Sequence, residues 1–113
     1  MFGWCNMREF RMIKKEFEFL TRLYGFEIAH KQKSGSYCFV DWTNSKINIK
    51  VLYDVTDKRP VSILTYDADS LGTYYDITEY QDELITTARK SCEKIHYAAE
   101  WLKNAIADKT IQI

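Results

Sequence analysis

The spacing of apolar residues changes twice along this chain of 113 residues, and that change restricts the fold more than any other feature. Near the N-terminus, apolar residues recur every three or four positions, which is the period of a helix with one buried stripe. From residue 26 to 66 the period is two, as in a strand with one buried face. From residue 80 to 106 the helical spacing returns. The pattern predicts an α+β domain with helices at both ends of a sheet.

The first helix is predicted at residues 7–24. Asn6 and Glu9 form a capping-box-like start, and Gly25 supplies the left-handed position at which many helices end. The predicted buried stripe comprises Phe10, Ile13, Phe17, Leu20 and Tyr24.

A second apolar group lies on the opposite side of this predicted helix. It consists of Met12, Phe19 and Leu23. One interpretation is that the sheet and the N-terminal segment bury both sides of the helix. The other is that this group forms a surface for a partner or a second copy, since contiguous exposed apolar area tends to mark interaction sites.

Four strands are predicted between the helices, because aromatic and β-branched residues alternate with polar ones and turn residues separate the runs. The turns lie at residues 33–36 and 44–45, and a polar connection precedes Pro60. The strands are expected at 26–31, 37–43, 47–53 and 61–66. Short connections between consecutive strands indicate an antiparallel meander.

Asp67 to Ile77 is predicted to be a polar loop, followed by a long helix that reaches about residue 107. Asp76 or Thr78 is a candidate for the start of this helix, which would span ~40 Å at 1.5 Å per residue. We expect this helix to pack on one face of the sheet. The whole chain, residues 1–113, is then a single domain.

Cysteine usage and hydropathy indicate a cytoplasmic protein. The three cysteines are widely spaced and include no C-x-x-C pair, which fits free thiols in a reducing compartment. The N-terminus lacks the charged and apolar regions of a signal peptide. Since no apolar run approaches the ~18 residues of a membrane-spanning helix, we expect no membrane association.

The charged residues balance in number but are unevenly distributed. Residues 1–53 contain nine basic and five acidic residues, residues 54–83 contain two and eight, and residues 84–113 contain five and three. A net charge of zero gives no overall attraction to nucleic acid or an anionic membrane. The order of helix, strands and helix resembles double-stranded RNA-binding domains, which hold phosphates with lysines at the start of their last helix. Here acidic residues occupy residues 79–83, so no nucleic-acid partner is expected.

Two patterns in the sequence resemble metal sites. Asp67-x-Asp69-x-x-Gly72 resembles the opening of a calcium loop, but Leu71 and Thr78 stand where two ligands would be needed. Cys92, His96 and Glu100 have a helical spacing that would suit zinc, yet they drift progressively away from the predicted core stripe. We therefore expect no metal and no cofactor.

Catalytic motifs are also missing from the sequence. It contains no G-x-S-x-G elbow, no glycine-rich phosphate loop and no H-E-x-x-H pair. An enzyme is not predicted. The alternative is chemistry by Cys92 with His96, which requires a reactive, low-pKa thiol.

The acidic middle segment is interleaved with tyrosines, beginning at Tyr66. Tyrosine provides rigid contact area and a hydroxyl group, and clustered carboxylates attract and orient a cationic surface. The segment is therefore predicted to bind a protein partner with a basic surface, although loop and helix-start positions also favour such residues. The predicted partner-binding residues are Asp67, Asp69, Tyr74, Tyr75, Asp76, Glu79, Tyr80, Asp82 and Glu83.

Three runs of the sequence resemble small bacterial immunity proteins of the toxin–immunity type, which belong to contact-dependent inhibition and polymorphic toxin systems. The runs are Phe17 to Glu27, Ile47 to Asp54 and Pro60 to Ile63. The resemblance implies a cytoplasmic, non-enzymatic protein that binds one cognate toxin and occludes its active site, often with acidic residues. The alternative hypothesis is a small adaptor or secretion-chaperone-like module, dimeric through Met12, Phe19 and Leu23.

A combined Asp69→Ala, Asp76→Ala, Asp82→Ala variant tests the acidic segment. Exposed carboxylates contribute ~0–1 kcal/mol each to folding, whereas a charge buried against a cationic partner costs about 2–5 kcal/mol when removed. We expect near-unchanged melting and much weaker partner binding, measured by calorimetry. Unchanged affinity for a basic partner would refute the acidic surface.

Overall fold

The computed structural model describes residues 7–55, 61–67, 73–76 and 90–113. Three helices and five strands lie in these ranges. In chain order they are α1 (Met7–Glu16), α2 (Phe19–Tyr24), β1 (Glu27–Ser34), β2 (Tyr37–Thr43), β3 (Ile47–Asp54), β4 (Val61–Asp67), β5 (Thr73–Asp76) and α3 (Ser91–Ala107). None of the described helices is both long and apolar enough to cross a membrane.

The strands form one antiparallel sheet in which spatial order follows chain order. The predicted α+β fold, with a helix at each end of a four-stranded meander, is confirmed. The sheet also contains β5, which pairs with β4 and lies within the segment predicted to be a loop. Asp76 is the last residue of this strand, and the predicted start of the last helix after it lies outside the described residues.

Local side-chain and backbone chemistry produces the predicted turns. Gly35, with a φ of 56°, follows β1 in the two-residue connection to β2. Between β2 and β3, the Asn44 side-chain oxygen accepts hydrogen bonds from the Lys46 and Ile47 amides at 2.9 and 2.8 Å. This Asx-type turn accompanies a φ of 76° at Ser45.

The N-terminal helix is divided at residues 17–18 rather than continuous from 7 to 24. Across the break, the Leu20 amide donates to the Phe17 carbonyl and the Thr21 amide to the Glu18 carbonyl, at 3.1 and 2.9 Å. Each of these hydrogen bonds joins residues three positions apart, as in a 3₁₀-helix. Such bonds tighten the turn and change the direction of the side chains that follow. Phe17 and Phe19, which a regular helix would place on nearly opposite sides, are therefore both buried. Gly25, with a φ of 74°, ends α2 as predicted.

The last helix also differs from its prediction. Lys90 has extended backbone angles, φ −104° and ψ 146°, and α3 begins at Ser91. The predicted helix is thus not continuous through residue 90, and its expected part before that residue lies outside the described residues. The 17 residues of α3 span ~25 Å at 1.5 Å per residue.

The core lies between one face of the sheet and the helices. Phe17 contacts Trp42 of β2, with ring centroids 6.0 Å apart. The sheet contributes Cys38, Val40, Trp42, Ile49, Val51, Tyr53, Val61 and Ile63 to this core, and α3 contributes Ile95, Ala98, Ala99, Leu102, Ala105 and Ile106.

Polar contacts also join the helices. The Glu16 carboxylate of α1 lies 2.9 Å from the His96 ring nitrogen Nδ1 of α3, and the Lys103 ammonium of α3 lies 5.3 Å from the Phe19 ring centroid of α2.

The second apolar group predicted on the first helix does not form one surface. Phe19 is 2 % exposed and belongs to the core, and Met12 is partly buried against that core. Leu23 is 58 % exposed. The break between α1 and α2 separates the three residues, so the interpretation that the group is buried holds for two of them.

Alanine substitutions at Phe19 and Leu23 test this assignment. Phe19→Ala should lower the free energy of unfolding by about 3–5 kcal/mol, because it opens a cavity in the core. Leu23→Ala should change it by less than ~0.5 kcal/mol, as for other exposed sites. Urea denaturation measures both. Similar values for the two variants would place Phe19 outside the core.

Candidate functional site

Strand β2 is buried on both faces of the sheet. Five consecutive residues, Cys38 to Trp42, are buried, although alternate side chains of a strand point in opposite directions. Cys38, Val40 and Trp42 belong to the helix-covered core. Phe39 and Asp41 therefore lie on the other face.

This second face carries a group of interacting aromatic and charged side chains, which we call the second-face cluster. It comprises His30, Tyr37, Phe39, Asp41, Asn48, Lys50 and Tyr66. Strand register brings them together, because Asp41 pairs with His30 and Lys50, and Asn48 pairs with Tyr66. The described helices contribute their buried residues to the opposite, core face.

Phe39 is the centre of one half of the cluster. The Lys50 ammonium lies 4.6 Å from its ring centroid, within the range of a cation–π contact. The His30 and Tyr37 rings lie 5.4 and 6.5 Å from it, centroid to centroid, and Tyr37 is nearly parallel to it. Phe39 is only 8 % exposed. The three surrounding side chains are thus held around a fixed ring.

Asp41 and Tyr66 form the other half. The Tyr66 hydroxyl donates a hydrogen bond to Asp41 Oδ2 at 2.5 Å. Burial raises the pKa of Tyr66, and the hydrogen bond and charge of Asp41 raise it further, while a hydrogen bond with Asn48 acts in the opposite direction. Tyr66 is therefore a protonated donor whose position is fixed by two neighbouring strands.

The second carboxylate oxygen of Asp41 is unusual. Asp41 is 7 % exposed, and its buried Oδ1 has no hydrogen-bond partner among the described residues. An unsatisfied buried polar atom costs about 1–3 kcal/mol. The strand thus holds an acidic side chain at a buried position, with one oxygen bonded to Tyr66 and the other without a partner among the described residues.

Four of the predicted partner-binding residues lie on described strands. Tyr74 and Asp76 of β5 pair with Leu64 and Ser62 of β4, while Tyr75 pairs with Ile63 and Asp67 with Ile47. Leu64 and Ser62 alternate with core residues and lie in the same row as Tyr66. The register thus makes β5 the neighbour of β4 in the described sheet, on the side away from β1. Asp69, Glu79, Tyr80, Asp82 and Glu83 lie outside the described residues.

Most of the cluster was missed by the sequence-based site prediction. Tyr66 was noted at the start of the acidic segment, but Phe39, Asp41 and Lys50 received no role. One signal was available, because Asp41 interrupts a run that is otherwise apolar and aromatic on both faces of a strand.

The candidate zinc and thiol residues do not form a metal site in the described part of the chain. Cys92 is exposed, and His96 contacts Glu16 rather than a neighbouring ligand. No group of three potential metal ligands occurs among the described residues. Most of the calcium-like loop, including Asp69 and Gly72, lies outside them.

Comparisons of the chain with protein-family models, with curated proteins and with solved structures give no match.

A pH titration of stability tests the Asp41–Tyr66 pair. The folded protein holds the Tyr66 proton more tightly than the unfolded chain, whose tyrosine pKa is ~10. The stabilising contribution is therefore complete below pH ~10 and is lost as the pH rises through the higher pKa of the folded protein. Tyr66→Phe should remove this component from the stability curve above pH ~10.

Urea denaturation at each pH provides the measurement, and Tyr97→Phe on α3 is the matched control. At neutral pH, Tyr66→Phe should also destabilise the protein by about 1–3 kcal/mol, because the buried carboxylate loses its donor. Identical pH profiles for the wild type and Tyr66→Phe would contradict the pairing.

Proposed function

We propose that this protein is a cytoplasmic immunity-type protein of bacterial toxin–immunity systems, which binds a cognate toxin domain and occludes its active site. The observation that carries the binding role is the second-face cluster, a fixed group of aromatic and charged side chains on the sheet face opposite the described helices. The toxin–immunity assignment itself rests on the sequence resemblance of residues 17–27, 47–54 and 60–63.

The composition of the cluster supports protein binding. Interfaces are enriched in aromatic residues, which add large contact areas with little loss of conformational freedom. Tyr37 and His30 remain accessible at the edge of the cluster, while Phe39 supports them from below. The hydrogen bond from Tyr66 to Asp41 fixes a further aromatic ring. A surface organised before binding loses less entropy when a partner docks.

Charged residues lie on different strands of the described sheet. Lys50 lies on β3, whereas Asp76 lies on β5 and belongs to the acidic segment. Such an arrangement favours one orientation of a partner, because complementary charges guide docking and like charges oppose the wrong register. We propose that a basic toxin surface meets the β4–β5 side.

The adaptor hypothesis depended on a contiguous apolar surface on the N-terminal helix. The core position of Phe19 leaves Leu23 as the exposed member of that group. No described feature therefore favours the adaptor over the immunity-type inhibitor.

Growth rescue is the direct test. The proposal predicts a toxin domain encoded by a neighbouring gene. That domain is expressed in bacteria with and without the protein, and we expect growth only when the protein is present. The purified pair should form a stable complex in size-exclusion chromatography with light scattering. Toxicity that persists at equal expression, with no complex between the purified proteins, would refute the proposal.

A His30→Ala, Lys50→Glu double variant tests whether the second-face cluster makes the contact. Loss of two interface side chains that each contribute ~1 kcal/mol should weaken binding about 30-fold. Lys109→Glu, beyond the end of α3, is the charge-matched control and should bind like the wild type. Melting curves confirm that both variants are folded. Full affinity in the double variant would place the toxin contact elsewhere.

A further inference from the structure

A second surface with different chemistry lies between the N-terminal helices and the edge of the sheet. It is a groove of about 370 Å³, which we call the basic groove. Its lining residues are Arg11, Lys14, Lys15, Glu18, Thr21, Ile28 and Trp42. The volume falls in the range of ~300–1,000 Å³ typical of ligand sites.

The groove is cationic. Arg11, Lys14 and Lys15 form no ion pair with any described residue, although Lys14 lies 5.8 Å from the Phe10 ring centroid. The acidic member of the lining, Glu18, has Arg22 as its partner at 3.9 Å. Three positive charges therefore converge on the groove without acidic partners in the described part of the chain, which favours an anionic ligand.

Apolar groups form the other part of the lining. Trp42 is only 1 % exposed, so it contributes the floor. Ile28 of β1 is 42 % exposed and borders the groove at the edge of the sheet. A ligand that combines carboxylates with apolar side chains would match both parts.

Strand β1 determines the shape of that ligand. It is the first strand of the sheet, and β2 is its only described strand neighbour. All eight of its residues are exposed. An edge strand of this kind presents backbone donors and acceptors to which an extended chain can add.

Features of β1 restrict which chains can add. The register shifts between Ile28 and His30, which bends the edge locally, and Lys31 and Lys33 project from the strand. Lysines on an edge oppose pairing with basic or identical strands. They outnumber Glu27, the acidic residue of β1, and attract an acidic strand, so the edge and the groove select the same charge.

From these observations we infer that the basic groove and the edge of β1 bind an acidic, extended segment of a protein partner. The segment adds to β1 through main-chain hydrogen bonds, its carboxylates pair with Arg11, Lys14 and Lys15, and an apolar side chain contacts Ile28. This site lies on the helix side of the sheet edge and does not depend on the second-face cluster or on toxin binding.

Three labelled peptides test the inference, each with eight residues to match β1. The first alternates glutamate with valine, the second replaces glutamate with glutamine, and the third replaces valine with proline. Fluorescence anisotropy measures their binding to the full chain. We expect the glutamate–valine peptide to bind at least about tenfold more tightly than either control, because the glutamine peptide lacks the charge and the proline peptide lacks half of the main-chain donors.

A Lys14→Glu, Lys15→Glu variant should weaken binding of the glutamate–valine peptide by at least about tenfold, while Lys109→Glu should leave it unchanged. Raising the salt from about 0.01 to 0.15 M, which shortens the screening length from ~30 to ~8 Å, should weaken binding as well. Hydrogen exchange at the outer-edge amides of β1 should slow when this peptide is bound.

Each component has an outcome that overturns it. If the proline peptide binds as tightly as the glutamate–valine peptide, strand addition to β1 is refuted and only charge attraction accounts for binding. If the Lys14→Glu, Lys15→Glu variant binds the glutamate–valine peptide as tightly as the wild type does, the groove is not part of the binding site. Tighter binding of a single-stranded RNA oligonucleotide or of anionic phosphatidylserine vesicles would overturn the assignment to a protein segment.

Discussion

The contact between Phe17 and Trp42 joins the N-terminal helices to the sheet, and several other features depend on it. Phe17 lies at the break between α1 and α2, and Trp42 lies at the end of the doubly buried β2. With Phe17 against Trp42, the tightened turn also brings Phe19 and Leu20 into the core. Trp42 in turn forms the floor of the basic groove. One aromatic contact thus sets the helix geometry and the position of the groove together.

Sequence reasoning succeeded where structure is determined locally. The turn at Asn44 forms because its side chain accepts neighbouring amides, and the end of α2 forms because Gly25 adopts a left-handed conformation. Alternation of apolar residues located β2, β3 and β4 to within about one residue. These signals act over a few residues, so a single sequence contains them.

The failures have a different physical origin. Apolar spacing continues unchanged across residues 17–18 and across Lys90, so periodicity did not reveal that the backbone changes conformation there. Strand β5 is only four residues long and lies in a polar stretch, where pairing with β4 rather than composition defines it. The second-face cluster combines residues from four strands, and only the register shows that Tyr66 reaches Asp41. The residues of such a site are far apart in the sequence. Correct prediction of each strand therefore does not reveal the site unless the register between the strands is also known.

The uneven charge distribution of the chain acquires a structural meaning once the fold is known. The basic N-terminal half supplies Arg11, Lys14 and Lys15 of the groove, together with Lys31 and Lys33 on β1. The acidic middle segment begins at the end of β3 and includes β5, on the opposite edge of the sheet. Because the strands follow one another in space as in sequence, the basic residues of β1 and the acidic residues of β4 and β5 lie on strands at opposite ends of the described strand order.

Asp41 lies buried on the second face of β2, at a cost to stability. A buried carboxylate oxygen without a partner costs about 1–3 kcal/mol, a large part of the ~5–15 kcal/mol that stabilises a typical domain. The hydrogen bond from Tyr66 offsets part of that cost and fixes the tyrosine ring between the two edges. An apolar residue at this position would remove that cost but would also leave the Tyr66 hydroxyl without its acceptor. Asp41 is thus better explained by the position it gives to Tyr66 than by its contribution to folding.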